Sequence, residues 1–194
     1  MLILTFPRAH LIYTLNGMKA ILKRIHRKIV EHSNSDLKIK YLKKEGVKIG
    51  ENCHLDTMSF STEPYLVEIG NHVGISAGTV FITHDAGIRC FQEEFPDDDI
   101  FGKITIGNNV FIGINCTLLP NTIIGDNCII GAGSVVRGRF PDNSVIIGNP
   151  AKILLRMNIQ KMLYRQNPAR LRTAKLSDSK KKSFVIKHFE KKEI

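Results

Sequence analysis

The chain has 194 residues, 43% of them hydrophobic and 24% charged, enough to bury one globular core. Trp is absent and aromatics make up only 7%, which excludes a core built on large rings, and no apolar run reaches the roughly 18 residues of a membrane span. The net charge of +10 is unevenly placed: Lys and Arg outnumber Asp and Glu 11 to 3 over residues 1–48 and 13 to 3 over 152–194, while the acids lead 12 to 4 over 49–151. An anionic middle between two basic ends argues against nucleic-acid binding by the folded part. It leaves the ends as solvated segments, or as docking segments for phosphate, an anionic lipid surface or another subunit.

The chain opens on MLILTFPRAHLIY, which Pro7, Arg8 and His10 interrupt. It has neither a basic start nor a small-residue cleavage site, so no signal peptide is expected. Asn16–Glu45 is rich in Lys, Ile and Leu. Met18, Ile21, Leu22, Ile25 and Ile29 recur at helical spacing, with Lys and Arg on the other face. One or two helices are predicted there, covering the open edge of the structure that follows.

A period of six begins at Ile49 and Leu55, with Cys53 and Ser59 as small partners. The frame returns at Ile69, Ile75 and Phe81, with Val73 and Thr79. The long step from Leu55 to Ile69 places an insertion or bulge near Ser61–Tyr65. An irregular excursion then occupies about Asp85–Lys103. From Ile106 the pattern is unbroken: Ile106, Ile112, Leu118, Ile124, Ile130, Val136. Val110, Cys116, Thr122, Cys128, Ser134 and, more loosely, Phe140 take the small position four residues later. Period six is not helical, but it is a multiple of two, so each hexad can be a short strand with one deeply buried side chain and a turn. Gly and Asn at the turns permit positive φ. Three hexads close a triangular coil, and coils stack as parallel strands about 4.8 Å apart.

Beyond the repeats, Ile153–Gln166 is predicted to be a short helix over the last coil, interrupted by Pro168. The tail carries Lys180, Lys181 and Lys182 and a short apolar patch of Phe184, Val185, Ile186 and Phe189. The expected organisation is an all-β solenoid over 46–152, with its excursion at 85–103. A helical cap covers 1–45, and 153–194 form a C-terminal helix and basic tail. Cys53, Cys90, Cys116 and Cys128 form neither a CxxC pair nor a dense framework. They predict reduced thiols in a cytoplasmic protein.

The stretch ITIGNNVFIGINCTLLPNTIIGDNCIIGAGSVV followed by GNPAKIL resembles the hexapeptide-repeat acyltransferases. The phrase GISAGTVFITHDAGIRCF, followed by a loop and the restart at Ile104, is most similar to the sugar and polysaccharide O-acetyltransferases of maltose and galactoside type. The resemblance implies a left-handed parallel β-helix; the general crossover rule alone would give the opposite hand. It also implies a homotrimer, acetyl-CoA in the groove between neighbouring coils, and a sugar or polysaccharide acceptor. Peripheral membrane contact through the basic ends is a further expectation, drawn from the charge distribution.

His84 leads the candidate residues. An imidazole near its ordinary pKa of about 6.5 can accept a proton from a hydroxyl as that hydroxyl attacks a thioester. A His at this point of the excursion is the base in the resembled enzymes. The resemblance places Asp56, in LDTM, against the acceptor hydroxyl, where galactoside-type enzymes carry Asn. Asp85 is a candidate for holding the His84 tautomer, and Asn115 lies near the course of the acyl-thiol arm. Gly113, Ala132 and Gly133 match the small residues of the coenzyme groove. Arg137, Arg139, Lys152 and Arg156 lie at the last coil, where the nucleotide end binds; Arg137-Gly138 departs from the usual Thr-Lys step. Direct transfer needs no metal, and His54, His72 and His84 fall at unlike hexad positions. An amino-sugar N-acetyltransferase and a non-catalytic β-helix scaffold are the alternatives.

Overall fold

Two-residue strands separated by Gly/Asn turns follow the hexad pattern from Lys48 onward. The structure, a computed structural model, describes residues 8–190. Residues 1–7 and 191–194, on which parts of the leader, cap and tail expectations fall, lie outside the described residues. The chain forms two compact units, Met1–Met157 and Asn158–Ile194.

The strands of the first unit stack into three parallel sheets, which the chain visits in turn. The first face holds Lys48–Ile49, Val67–Ile69, Ile104–Ile106, Ile123–Ile124 and Arg139–Phe140. The second holds His54–Leu55, Gly74–Ile75, Phe111–Ile112, Ile129–Ile130 and Ser144–Gly148. The third holds Ser59–Phe60, Val80–Phe81, Thr117–Leu118 and Val135–Val136. Ile106 pairs with Ile124, Ile112 with Ile130 and Leu118 with Val136, so one coil is three hexads.

The repeating aliphatic residues form the axis. Ile106, Ile112, Leu118, Ile124, Ile130 and Val136 are no more than 2% exposed. The small partners Val110, Cys116, Thr122, Cys128 and Ser134 are equally buried. Their hydroxyls bond to carbonyls of the coils: Thr122 Oγ1 to Val136 O at 3.0 Å and Ser134 Oγ to Gly131 O at 2.6 Å. Among the described residues no buried side-chain polar atom lacks a partner, as a dry core requires.

The corner between the first and second faces explains the Gly-Asn-Asn and Gly-Asp-Asn turns. Asn71, Asn108, Asp126 and Asp142 each accept from a backbone N–H of the adjacent coil, at 2.6–2.9 Å. The next residues, His72, Asn109, Asn127 and Asn143, all take φ between 54° and 61°. The corner is a hydrogen-bonded ladder in which Asn tolerates the left-handed region.

One hexad assignment is corrected, and one gap in the frame is filled. Phe60, five residues after Leu55 rather than six, is the axial side chain of the third face in the first coil, and it stacks on Phe81 at 4.5 Å. Phe140 is also axial, paired with Ile124, rather than a small partner. The last coil is two residues short of three hexads, so the frame slips there.

Helix α1 spans Arg8–Glu31 and α2 spans Ser35–Lys44. Asn34 caps α2, its Oδ1 accepting from Leu37 N at 3.0 Å. Helix α2 covers the open first coil: Tyr41 and Leu42 are buried, and Ser35 Oγ accepts from the unpaired Leu55 N at 2.8 Å. Helix α1 does not use its apolar stripe in this way. It buries Val30, while Met18, Ile21, Leu22, Ile25 and Ile29 remain 51–66% exposed. The expectation that this stripe covers the coil is therefore corrected.

The helix expected from Ile153 is also corrected. Ala151–Arg156 is a strand, antiparallel to Ser144–Gly148, and helix begins only at α3, Met157–Gln166. The turn Gly148-Asn149-Pro150, with a cis Asn149–Pro150 bond, folds the chain back on itself. Helix α4 spans Asp178–Glu190.

Candidate active site

The coil is left at Thr83. His84–Asp85 pairs antiparallel with Ile100–Phe101, and Gly102 N donates to Thr83 O at 2.8 Å. The excursion is thus a ribbon closed at its base, with a 3-10 turn over Ala86–Phe91. His84 sits at that base, held by strand pairing on one side and by the solenoid on the other.

Its imidazole is 40% exposed, and Nδ1 lies 2.9 Å from Oε2 of Glu63. Glu63 is only 13% exposed. It occupies the insertion that follows the first coil's third-face strand, just before a 3-10 turn at Pro64–Leu66. Thr62 Oγ1 donates to its Oε1, and Thr83 Oγ1 donates to Oε2 at 3.0 Å. The Thr62 bond does most to hold the Glu63 carboxyl below its ordinary value. Burial opposes it, and the bonds from His84 and Thr83 add to it. An ionised carboxylate only accepts, so Nδ1 is the nitrogen that donates to it, and in the neutral ring the lone pair lies on Nε2. That is the tautomer a general base requires.

Glu63 was not among the residues singled out by the sequence. Its one signal was the insertion near Ser61–Tyr65, which breaks the hexad frame. Asp85, expected to orient His84, instead caps the excursion's turn by accepting from Gly87 N at 3.0 Å. The tautomer role falls to Glu63.

The other candidates divide between places. Asp56 N bonds Ile75 O, Ser76 N bonds Ile112 O, and Gly113 N bonds Ile130 O. Asp56 and Gly113 therefore stack on the corner between the second and third faces. Gly133 N bonds Ile114 O, which brings Asn115, Ala132 and Gly133 to the same corner. A Cβ on Gly113 would stand 2.6 Å from Ala132 N, so only glycine allows the coils to approach there. The carboxylate of Asp56 is half exposed and lies 3.1 Å from His54 Nε2. His84 follows the other end of the third face, so one chain does not bring Asp56 and His84 together.

The four cations are exposed near the last coil but on different faces. Arg137 follows the third-face strand, Arg139 is on the first face, and Lys152 and Arg156 are on the returning strand of the second. Among the described residues no three His, Cys, Asp or Glu side chains gather as a metal site. A cavity of about 450 Å³ opens between α1, α2 and the first coil. Arg24, Arg27, Tyr41, Phe60, Ser61 and Thr62 line it, and Thr62 Oγ1 in turn donates to Glu63.

The family model for bacterial transferase hexapeptide (six repeats) matches residues 103–138. The chain is 40% identical over 171 residues to Protein CapG of Staphylococcus aureus, covering 87% of this chain and 96% of that one. The chain belongs to the bacterial hexapeptide-repeat transferase family. It is also 34% identical over 114 residues to the galactoside O-acetyltransferase of Escherichia coli (strain K12), covering 58% of this chain and 55% of that protein. The solved galactoside acetyltransferase in complex with coenzyme A shares the fold, with a TM-score of 0.51 at 21% identity, over 78% of this chain and 86% of that one. In this hexapeptide-repeat transferase the His84–Glu63 pair at the base of the excursion sets a half-exposed imidazole against a carboxylate, an arrangement able to take up a proton.

Proposed function

We propose that this protein is an acetyl-CoA-dependent O-acetyltransferase that esterifies a sugar hydroxyl in the assembly of surface polysaccharide or glycolipid. The single observation that carries the reading is the His84–Glu63 pair, a half-exposed imidazole whose Nδ1 is 2.9 Å from a nearly buried carboxylate. His84 Nε2 takes the proton of the acceptor hydroxyl as its oxygen bonds to the thioester carbon. The carbon–sulfur bond breaks, and the same proton passes from Nε2 to the departing sulfur. Glu63 fixes the ring and stabilises the imidazolium formed between the two transfers. No covalent enzyme intermediate is needed.

Acetyl-CoA is the donor, lying along the corner of Gly113, Ala132 and Gly133. Asn115 stands beside the thiol arm, and Arg137, Arg139, Lys152 and Arg156 are available to its phosphates. That corner and His84 lie at opposite ends of the third face, so a second copy must supply one of them. The working form is a homotrimer of left-handed coils, each site shared between neighbours. Asp56 then reaches the acceptor from the neighbouring chain. Among the described residues no helix is long and apolar enough to cross a membrane. The four cysteines are free, as in a reducing cytoplasm.

Release of free thiol from acetyl-CoA across a panel of sugars, nucleotide sugars and amino-sugars tests the proposal. An ester on a sugar hydroxyl is the expected product. A clear preference for an amine over its hydroxyl analogue would replace it with N-acetylation. Absence of both acetyl-CoA binding and turnover would leave a scaffold.

A further inference from the structure

Acyl transfer does not use the exposed stripe of α1. Met18, Leu22, Ile25 and Ile29 follow one another at four- and three-residue steps, with Ile21 beside them, and all are more than half exposed. They share one face of the helix. The helix rests on the rest of the unit through other positions: Val30 is buried, His26 packs on Tyr41 at 5.5 Å, Lys23 pairs with Glu45 at 2.7 Å, and Arg27 donates to Met58 O at 3.2 Å. The stripe is therefore not a core face that failed to pack.

Charge decides what covers it. Between Arg8 and Val30 the helix sequence has Lys and Arg but no Asp or Glu; its only acid is the final residue, Glu31. Exposed Arg24 and Lys28 flank the stripe. A bundle made of several copies of this helix would crowd like charges together, with no carboxylate at the flanking positions that normally pair across such a seam. An anionic bilayer accepts both halves of the surface: the acyl boundary takes the stripe, and lipid headgroups take the cations. We propose that α1 lies in the interface of an anionic membrane and holds the enzyme there peripherally. The basic tail is a poorer candidate, because Phe184 and Ile186 lie on nearly opposite sides of α4. The same α1 supplies Arg24 and Arg27 to the cavity that Thr62 also lines.

Vesicle flotation with the full chain tests this without any turnover, so its outcome is separate from that of the acyl-transfer reading. Vesicles of pure phosphatidylcholine are compared with vesicles in which roughly a third of the lipid is phosphatidylglycerol. Wild type is expected to float with the anionic vesicles, weakly with the neutral ones, and to be released by salt. Ile21→Glu/Ile25→Glu is expected to lower binding about tenfold or more. Ile21→Gln/Ile25→Gln, which keeps helix-favouring side chains, is expected to do the same without adding charge. Sedimentation gives each variant's oligomeric state. Failure of wild type to bind, or binding by both double variants as strong as that of wild type, would overturn the proposal. Loss of oligomer in the double variants without vesicle binding by wild type would assign the stripe to other copies of the chain instead.

Discussion

At the scale of the residue, the proposed catalysis turns on one proton on one ring. Glu63 holds it on Nδ1 because its carboxylate accepts from three donors and can give nothing back. Glu63→Gln keeps the shape and one acceptor but removes the charge that supports an imidazolium. The expected result is a roughly ten- to hundredfold fall in kcat with little change in KM, read from steady-state kinetics. A second consequence concerns stability. The folded Glu63 carboxyl lies below its ordinary value of 4.5. Its contribution is therefore present above that value and is lost as pH falls through the lower, folded value. Melting temperatures measured from neutral pH down into the acid range should fall less steeply for Glu63→Gln than for wild type. His84 was legible in the sequence because the excursion restarts the repeat at a marked place. Glu63 was not, because an insertion carries no periodic constraint and its pairing with His84 joins residues from successive coils. Asp85 is the instructive miss. It adjoins His84 in sequence, yet strand alternation sends neighbouring side chains to opposite sides, and its carboxylate turns to Gly87 N.

At the scale of the element, stability rests on the axial column and on the close approach of the coils. Ile124→Ala, at a site 1% exposed, should cost about 2–5 kcal/mol in denaturant unfolding, because coils stacked on both sides cannot collapse into the gap. Phe60→Ala removes a ring stacked on Phe81 and should cost about 3–5 kcal/mol. Gly113→Ala drives a methyl into Ala132 backbone and should separate the coils locally. It should weaken acetyl-CoA binding more than it lowers thermal stability, as calorimetry of both would show. The repeating middle could be read from the sequence almost residue by residue, since period six admits one inward side chain per hexad. The frame failed where coils are irregular: the first, with an insertion, and the last, which is short. It failed again at Ile153–Arg156, where an apolar run compatible with helix is taken as a strand by the free edge of Ser144–Gly148.

At the scale of the whole molecule, His84 and the glycine corner lie at opposite ends of the third face, and a shared site between copies reconciles them. Mixing His84→Ala and Gly113→Ala chains, then unfolding and refolding them together, should raise activity above that of either alone, because in the proposed homotrimer some mixed assemblies pair an intact His84 with an intact corner. Mixtures no more active than their parts would confine the site to one chain. The stripe on α1 belongs to this scale too. The sequence showed its periodicity but assigned it to the core, because hydrophobic spacing marks a face without saying what covers it.

The most direct test is thiol release from acetyl-CoA, with a responsive sugar acceptor, by wild type and by His84→Ala shown to be folded by circular dichroism. With His84 as the base, a loss of about 10²–10⁴-fold is expected, with acetyl-CoA binding retained. A folded His84→Ala protein that transfers acetyl groups at near the wild-type rate would contradict it.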